Sequence, residues 1–70
     1  MNQAIQIHVN GKDREVSGGL SVTGLLETFD LDPLLIVVEL NREILERERF
    51  PETPVHEGDR LELVHFVGGG

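Results

Sequence analysis

Residues 4–16 constrain this chain most tightly. Residues 4–9 read A-I-Q-I-H-V, an alternation of period two that puts Ile5, Ile7 and Val9 on one face of a strand. Gln6 and His8 fall on the other face. Asn10-Gly11 follows at once, a pair that tolerates φ > 0 at both centres of a type I′ turn and so favours a tight hairpin. Residues 12–16 are the return strand, more polar than the first and suited to a position near a sheet edge. A lone hairpin is marginal in water, so the remaining residues must supply further strands, a packed helix, or both.

They have room for one core only. Seventy residues make a single small domain, which buries about 60% of the surface its unfolded chain exposes. There is no cysteine, so neither a disulfide nor a thiolate zinc site staples the fold. The three aromatics are all Phe, which leaves the core to Ile, Leu and Val.

After the hairpin, Ser17-Gly18-Gly19 breaks the strand pattern; with no Gly-Lys-Ser/Thr behind it, this is a turn and not a phosphate loop. Ser21 is placed to cap a helix. Val22, Leu25, Leu26 and Phe29 then recur at i, i+3, i+4 and i+7, one apolar stripe. Gly24 weakens that helix, and is expected where a side chain would hold the helix off the sheet. Asp30-Leu31-Asp32-Pro33 is expected to end it, because a residue before proline disfavours the α region.

Residues 35–40, L-I-V-V-E-L, form a near-continuous apolar run expected to be a well-covered strand. Asn41-Arg42 is a turn, and Glu43-Ile44-Leu45 a short edge strand. The charged residues 46–50, with Phe50 as the one apolar anchor, are expected to be a solvated loop. Pro51 to Pro54 form a stiff connection, and His56-Glu57-Gly58-Asp59 a turn in which Gly58 takes φ > 0. From Arg60 onward the chain is a strand with Leu61 and Leu63 facing the helix stripe, and Val64 and Phe66 on the opposite face. No second helix covers that face. Exposed Val64 and Phe66 therefore mark a partner surface, with partial cover from the Phe50 loop as the alternative. The fold class expected is α+β: a mixed four- to five-stranded sheet with one helix packed on one face.

Thirteen acidic against six basic residues give a formal charge of −7, which disfavours nucleic acid and anionic lipid as partners and favours basic protein surfaces. No apolar run approaches the roughly 20 residues of a membrane span. Met1-Asn2-Gln3 carries no signal-peptide pattern, so a soluble, cytoplasmic protein is expected. His8, His56 and His65 lack the spacing of a metal site, and no metal is expected. Ser17 and Ser21 have no His/Asp partners resembling a nucleophile elbow. The carboxylate pairs Asp30/Asp32 and Glu46/Glu48 lie in polar loops with no pocket to shift them. The chain is not expected to be an enzyme.

The remaining reactive group lies at the end of the sequence, Val64-His65-Phe66-Val67-Gly68-Gly69-Gly70. Glycine carries no Cβ, so this tail is unhindered and costly to order unless a partner grips it. Val67 to Gly70 spans roughly 13 Å when extended, enough to enter a closed site on another protein. Residues 1–67 are read as the domain, and Gly68, Gly69 and Gly70 as its flexible tail. A carboxylate at neutral pH is a poor electrophile. Activation of the Gly70 α-carboxylate by attack on the α-phosphate of ATP would give an acyl-adenylate open to a sulfur or nitrogen nucleophile.

Taken together, these segments resemble the sulfur carrier proteins of thiamin biosynthesis, the ThiS family of the ubiquitin-like β-grasp superfamily. The resemblance covers essentially the whole chain. It rests on the strand with Asn10-Gly11, S-V-T-G-L-L-E at 21–27, V-V-E-L-N-R-E-I at 37–44, and G-D-R-L-E-L-V at 58–64 running into the glycines. Gly68 adds a third glycine to the family's pair, and Leu45-Glu46 stands where relatives often have proline. The resemblance implies that a ubiquitin-activating-like enzyme adenylates Gly70 with ATP, and that a persulfide donor converts it to a thiocarboxylate. Thiazole synthase would then receive the sulfur. It further implies no cofactor bound to the chain itself, tail threading through Gly68 and Gly69, and docking through Val64, Phe66 and Val67. The small subunit of molybdopterin synthase shares this fold and tail chemistry. A modifier conjugated through Gly70 and a β-grasp interaction module with an inert tail are the other readings.

Overall fold

The computed structural model describes residues 3–66. Its elements run β1 (Ala4–Val9), β2 (Lys12–Ser17), α1 (Val22–Thr28), a 3-10 turn (Pro33–Leu35), β3 (Ile36–Leu40), β4 (Glu43–Leu45), a 3-10 helix (Arg47–Glu52) and β5 (Arg60–His65). The five strands form one sheet in the order β2-β1-β5-β3-β4. β1 and β5 are parallel neighbours at the centre, and every other pairing is antiparallel. One helix lies across one face of this mixed sheet, which is the β-grasp architecture expected of the resemblance.

Local chemistry places the turns. Asn10 and Gly11 take φ of 51° and 80°, as the hairpin requires, and β2 lies at one edge. Asn41 and Arg42 repeat the device between β3 and β4 with φ of 50° and 74°, although arginine gains nothing from that region. Gly58 sits at φ 84° in the turn that leads into β5. The Ser21 side chain accepts a hydrogen bond from the Gly24 N–H at 3.1 Å, capping α1.

The core is the helix-facing layer. Val22, Leu25 and Leu26 of α1 are fully buried against Ile7, Ile36, Val38 and Leu61, with Leu63 beside them. Burying one such side chain fully is worth about 1.5–3 kcal/mol. The stripe read from the sequence is therefore the core face of the helix, and Leu61 and Leu63 meet it.

Four expectations are corrected. Residues 47–52 are a 3-10 helix and not a solvated loop; Phe50 is buried in the core, and this segment packs on α1. It follows that Phe50 lies on the helix side and gives no cover to Val64 and Phe66. Proline is not what stops α1. Asp30 adopts φ 61°, its N–H donates to the Glu27 carbonyl, and the Leu31 N–H donates to the Leu26 carbonyl. That is a Schellman closure, with Asp in the place usually held by glycine. Pro33 instead opens the next 3-10 turn, where Asp32 accepts from the Leu34 N–H at 2.9 Å. Gly24 does not let the helix approach the sheet, since a Cβ there would meet the Leu20 side chain at 3.2 Å. Finally, the apolar run into β3 is covered on one side only: Ile36 and Val38 are buried, whereas Val37 is exposed.

Candidate functional site

β5 ends at His65, two residues before Val67, so whatever holds β5 fixes the root of the glycine segment. It is held from both sides. Towards β3 the register runs Leu40↔Leu61, Val38↔Leu63 and Ile36↔His65, and the Phe66 N–H donates to the Leu35 carbonyl at 3.1 Å. Towards β1 the parallel ladder spans His8↔Arg60 and Val9↔Leu61. The His8 N–H donates to the Asp59 carbonyl and the Asn10 N–H to the Leu61 carbonyl, both at 2.9 Å. β1 then turns away. The Asn10 side chain continues the ladder, its Oδ1 accepting from the Leu63 N–H at 2.7 Å and its Nδ2 donating to the Leu63 carbonyl at 3.2 Å.

The other end of β5 is tied down by Asn41. Its Oδ1 accepts from the Arg60 N–H at 2.9 Å, and its Nδ2 donates to Asp59 Oδ1 at 3.1 Å. Asp59 Oδ2 in turn accepts from the His56 N–H at 2.8 Å. Two asparagines thus clamp the strand that carries the tail.

Among the described residues nothing covers the sheet face away from α1, and that face is partly apolar. Val64 is 57% exposed and Phe66 39%, as the strand parity requires. Val37 lies directly across from Val64 in the β3–β5 register and is exposed with it. Ile44, 66% exposed, stands opposite Glu39 on the same face. Glu39 in turn faces Glu62 across β3 and β5, so acids border the apolar residues. Sequence reasoning found Val64 and Phe66 and missed Val37 and Ile44. Val37 was hidden inside an unbroken apolar run that carries no parity signal, and Ile44 belonged to a strand too short to show one. Val67, Gly68, Gly69 and Gly70 lie outside the described residues. His8 lies on this same outer layer, its Nδ1 against Asp13 Oδ1 in the β1–β2 register.

A family model described as the ThiS family matches residues 7–70. The chain belongs to the ThiS family. Within it, the sulfur carrier protein ThiS of Bacillus subtilis is 37% identical over 67 residues, which cover 91% of this chain and 98% of that protein. The crystal structure of the thiamine biosynthesis protein ThiS from Geobacter metallireducens superposes with a TM-score of 0.81 at 43% identity, covering 94% of this chain and 100% of that one. The five-stranded sheet with its single helix is thus the family's fold. A thiazole synthase of Paramagnetospirillum magneticum is 35% identical over 66 residues; the match takes in 94% of this chain but only 20% of that protein's length. Among the described residues, no helix is long and apolar enough to cross a membrane.

Proposed function

We propose that this ThiS-family chain is a sulfur carrier that delivers sulfur to thiazole synthase from a thiocarboxylate on Gly70. A carboxylate oxygen of Gly70 attacks the α-phosphorus of ATP in the active site of a ubiquitin-activating-like enzyme. The bond to the leaving diphosphate breaks, leaving an acyl-adenylate. The terminal sulfur of a protein persulfide then attacks the acyl carbon, AMP departs, and an acyl disulfide remains. A second thiol reduces the S–S bond and releases the thiocarboxylate, whose sulfur passes to the acceptor. ATP belongs to the partner enzyme; the chain supplies the carboxylate, its unhindered approach and the surface that docks.

The observation that carries this reading is the placement of β5 in a chain of this family. The central strand is clamped by Asn10 and Asn41, borders an exposed apolar face, and runs directly into Val67-Gly68-Gly69-Gly70. A rigid strand followed by glycines presents a tail at a defined place without side chains that would block a narrow channel. Val64 and Phe66, with Val37 and Ile44, supply the apolar docking surface, and Val67 would extend it. The thiazole synthase that includes a segment like this chain supports the choice of acceptor, because joining two partners in one polypeptide raises their effective concentration.

Intact mass after incubation with ATP, an adenylating enzyme and a persulfide donor tests the proposal. The expected result is an increase equal to replacing one oxygen by sulfur, absent in a chain lacking Gly70. An unchanged mass, with an enzyme shown to be active on another carrier, would overturn it. A stable adduct on a lysine of another protein would instead identify a conjugated modifier.

A further inference from the structure

The helix side of the sheet is not covered to its edge. α1 is seven residues long and ends at Thr28, so it stops short of the tip of the β1–β2 hairpin. A groove of about 410 Å³ remains between that tip, the chain leaving α1, and the ends of β3 and β5. Its floor is the unfinished margin of the core: Val9, Phe29 and Leu31 line it and are only half-buried.

β2 gives the groove its charge. Residues 12–16 read K-D-R-E-V, and the register pairs Val9 with Lys12, Ile7 with Arg14 and Ile5 with Val16. Lys12 and Arg14 therefore share the helix-facing side with the core, while Asp13 and Glu15 share the outer side. Both cations of the strand lie over an apolar floor and both acids face away. The Arg14 guanidinium lies over the Phe29 ring, 4.9 Å from its centroid, and Asn10, Lys12 and His65 are the other polar residues of the lining. Among the described residues no carboxylate lines the groove, and neither Lys12 nor Arg14 makes an ion pair. In a chain of net charge −7, this is a local reversal of sign over an apolar hollow.

We propose that this groove binds a small aromatic monophosphate. Its volume falls in the range of roughly 300–1,000 Å³ typical of small-molecule sites. The floor takes an apolar ring, and the planar guanidinium of Arg14 is suited to stacking and to bidentate contact with phosphate. Lys12 adds a second charge, and the His65 imidazole a hydrogen-bond donor at the last residue of β5. The site lies on the opposite side of the sheet from the docking face of Val37 and Val64, and binding there does not depend on the carrier chemistry of Gly70.

The test is an amide NMR titration of the full chain with AMP as probe, beside adenosine and inorganic phosphate. The expected result is saturable shifts centred on Lys12, Arg14, Phe29, Leu31 and His65, with affinity at least about tenfold lower for adenosine and for phosphate alone. Arg14→Gln and Lys12→Gln should each weaken AMP binding about tenfold, with the rest of the amide spectrum unchanged because both residues are exposed. Absence of groove shifts up to about 10 mM AMP would overturn the proposal, since such binding would be too weak to count as a site. So would equal binding of adenosine or of phosphate alone, or shifts that persist unaltered in both variants.

Discussion

The Asn10 side chain takes the place of the next peptide unit of β1 in its pairing with Leu63, accepting from the Leu63 N–H at 2.7 Å and donating to its carbonyl at 3.2 Å. The chain has already turned into the hairpin at φ 51°, so its own backbone no longer reaches β5 at this point. Without the amide, two partly buried peptide groups on the tail-bearing strand would lose their partners. Asn10→Gly isolates this role, because glycine tolerates the turn at least as well as asparagine. If Asn10 served the turn alone, that variant would be neutral. The bridging role predicts a loss of about 2 kcal/mol, read from urea unfolding, since each unpaired group costs roughly 1–3 kcal/mol. Hydrogen exchange at Leu63 and Val64 should rise more than exchange in α1.

Such a contact joins residues 53 apart in sequence, and it marks where legibility ended. The Asn10-Gly11 hairpin, the Ser21 cap and the Val22–Leu25–Leu26 stripe were readable because each is written in adjacent residues with a period of its own. The parity of β5 was readable for the same reason, and with it the outward position of Val64 and Phe66. Residues 46–50 were not. One Phe among Glu and Arg looks solvated locally, yet Phe50 fills the core against α1 once the chain has returned there. The end of α1 was misassigned to Pro33 because Asp30 closes the helix in a conformation that asparagine or glycine would have announced.

Two glycines make opposite demands. A Cβ on Gly18 would lie 2.5 Å from the Gln3 carbonyl oxygen, the acceptor of the Gly18 N–H at 2.7 Å. Backbone cannot yield cheaply there, so Gly18→Ala should cost about 2 kcal/mol and loosen the start of β1. At Gly24 the nearest atom is the terminal Cδ2 of Leu20, at 3.2 Å, on a half-buried side chain that can shift. Gly24→Ala should therefore gain about 0.5 kcal/mol from helix propensity. Thermal unfolding of the pair checks both signs, and a destabilised Gly24→Ala would mean that Leu20 is fixed.

The β3–β4 turn carries removable strain. Arg42 holds φ 74° at the position that glycine occupies in the β1–β2 hairpin, and it is exposed. Arg42→Gly should stabilise by about 1 kcal/mol, raising Tm by roughly 5 °C in a domain of this size. The reciprocal change, Gly11→Ala, should cost about 1 kcal/mol even though nothing lies within 4 Å of the added Cβ, because the loss is conformational. Equal Tm values for Arg42→Gly and wild type would show that the turn relaxes without cost.

The outer face is expected to act in docking and not in folding. Val64 and Val37 oppose one another, exposed, on the sheet face away from the core. Val64→Asp removes apolar area where a partner would cover it and adds charge beside Glu62, so desolvating it in a complex is costly while leaving it in water is not. With the adenylating enzyme of the proposed reaction, diphosphate release should show KM for this variant raised about tenfold and kcat nearly unchanged, the pattern of lost uniform binding. Glu27→Gln, exposed on α1 across the sheet, should leave both constants as they are. The unfolding free energy of Val64→Asp from urea titration should stay within about 1 kcal/mol of wild type, as expected of an exposed strand site. Unchanged KM with unchanged stability would remove Val64 from the interface and leave the glycine segment to carry recognition alone.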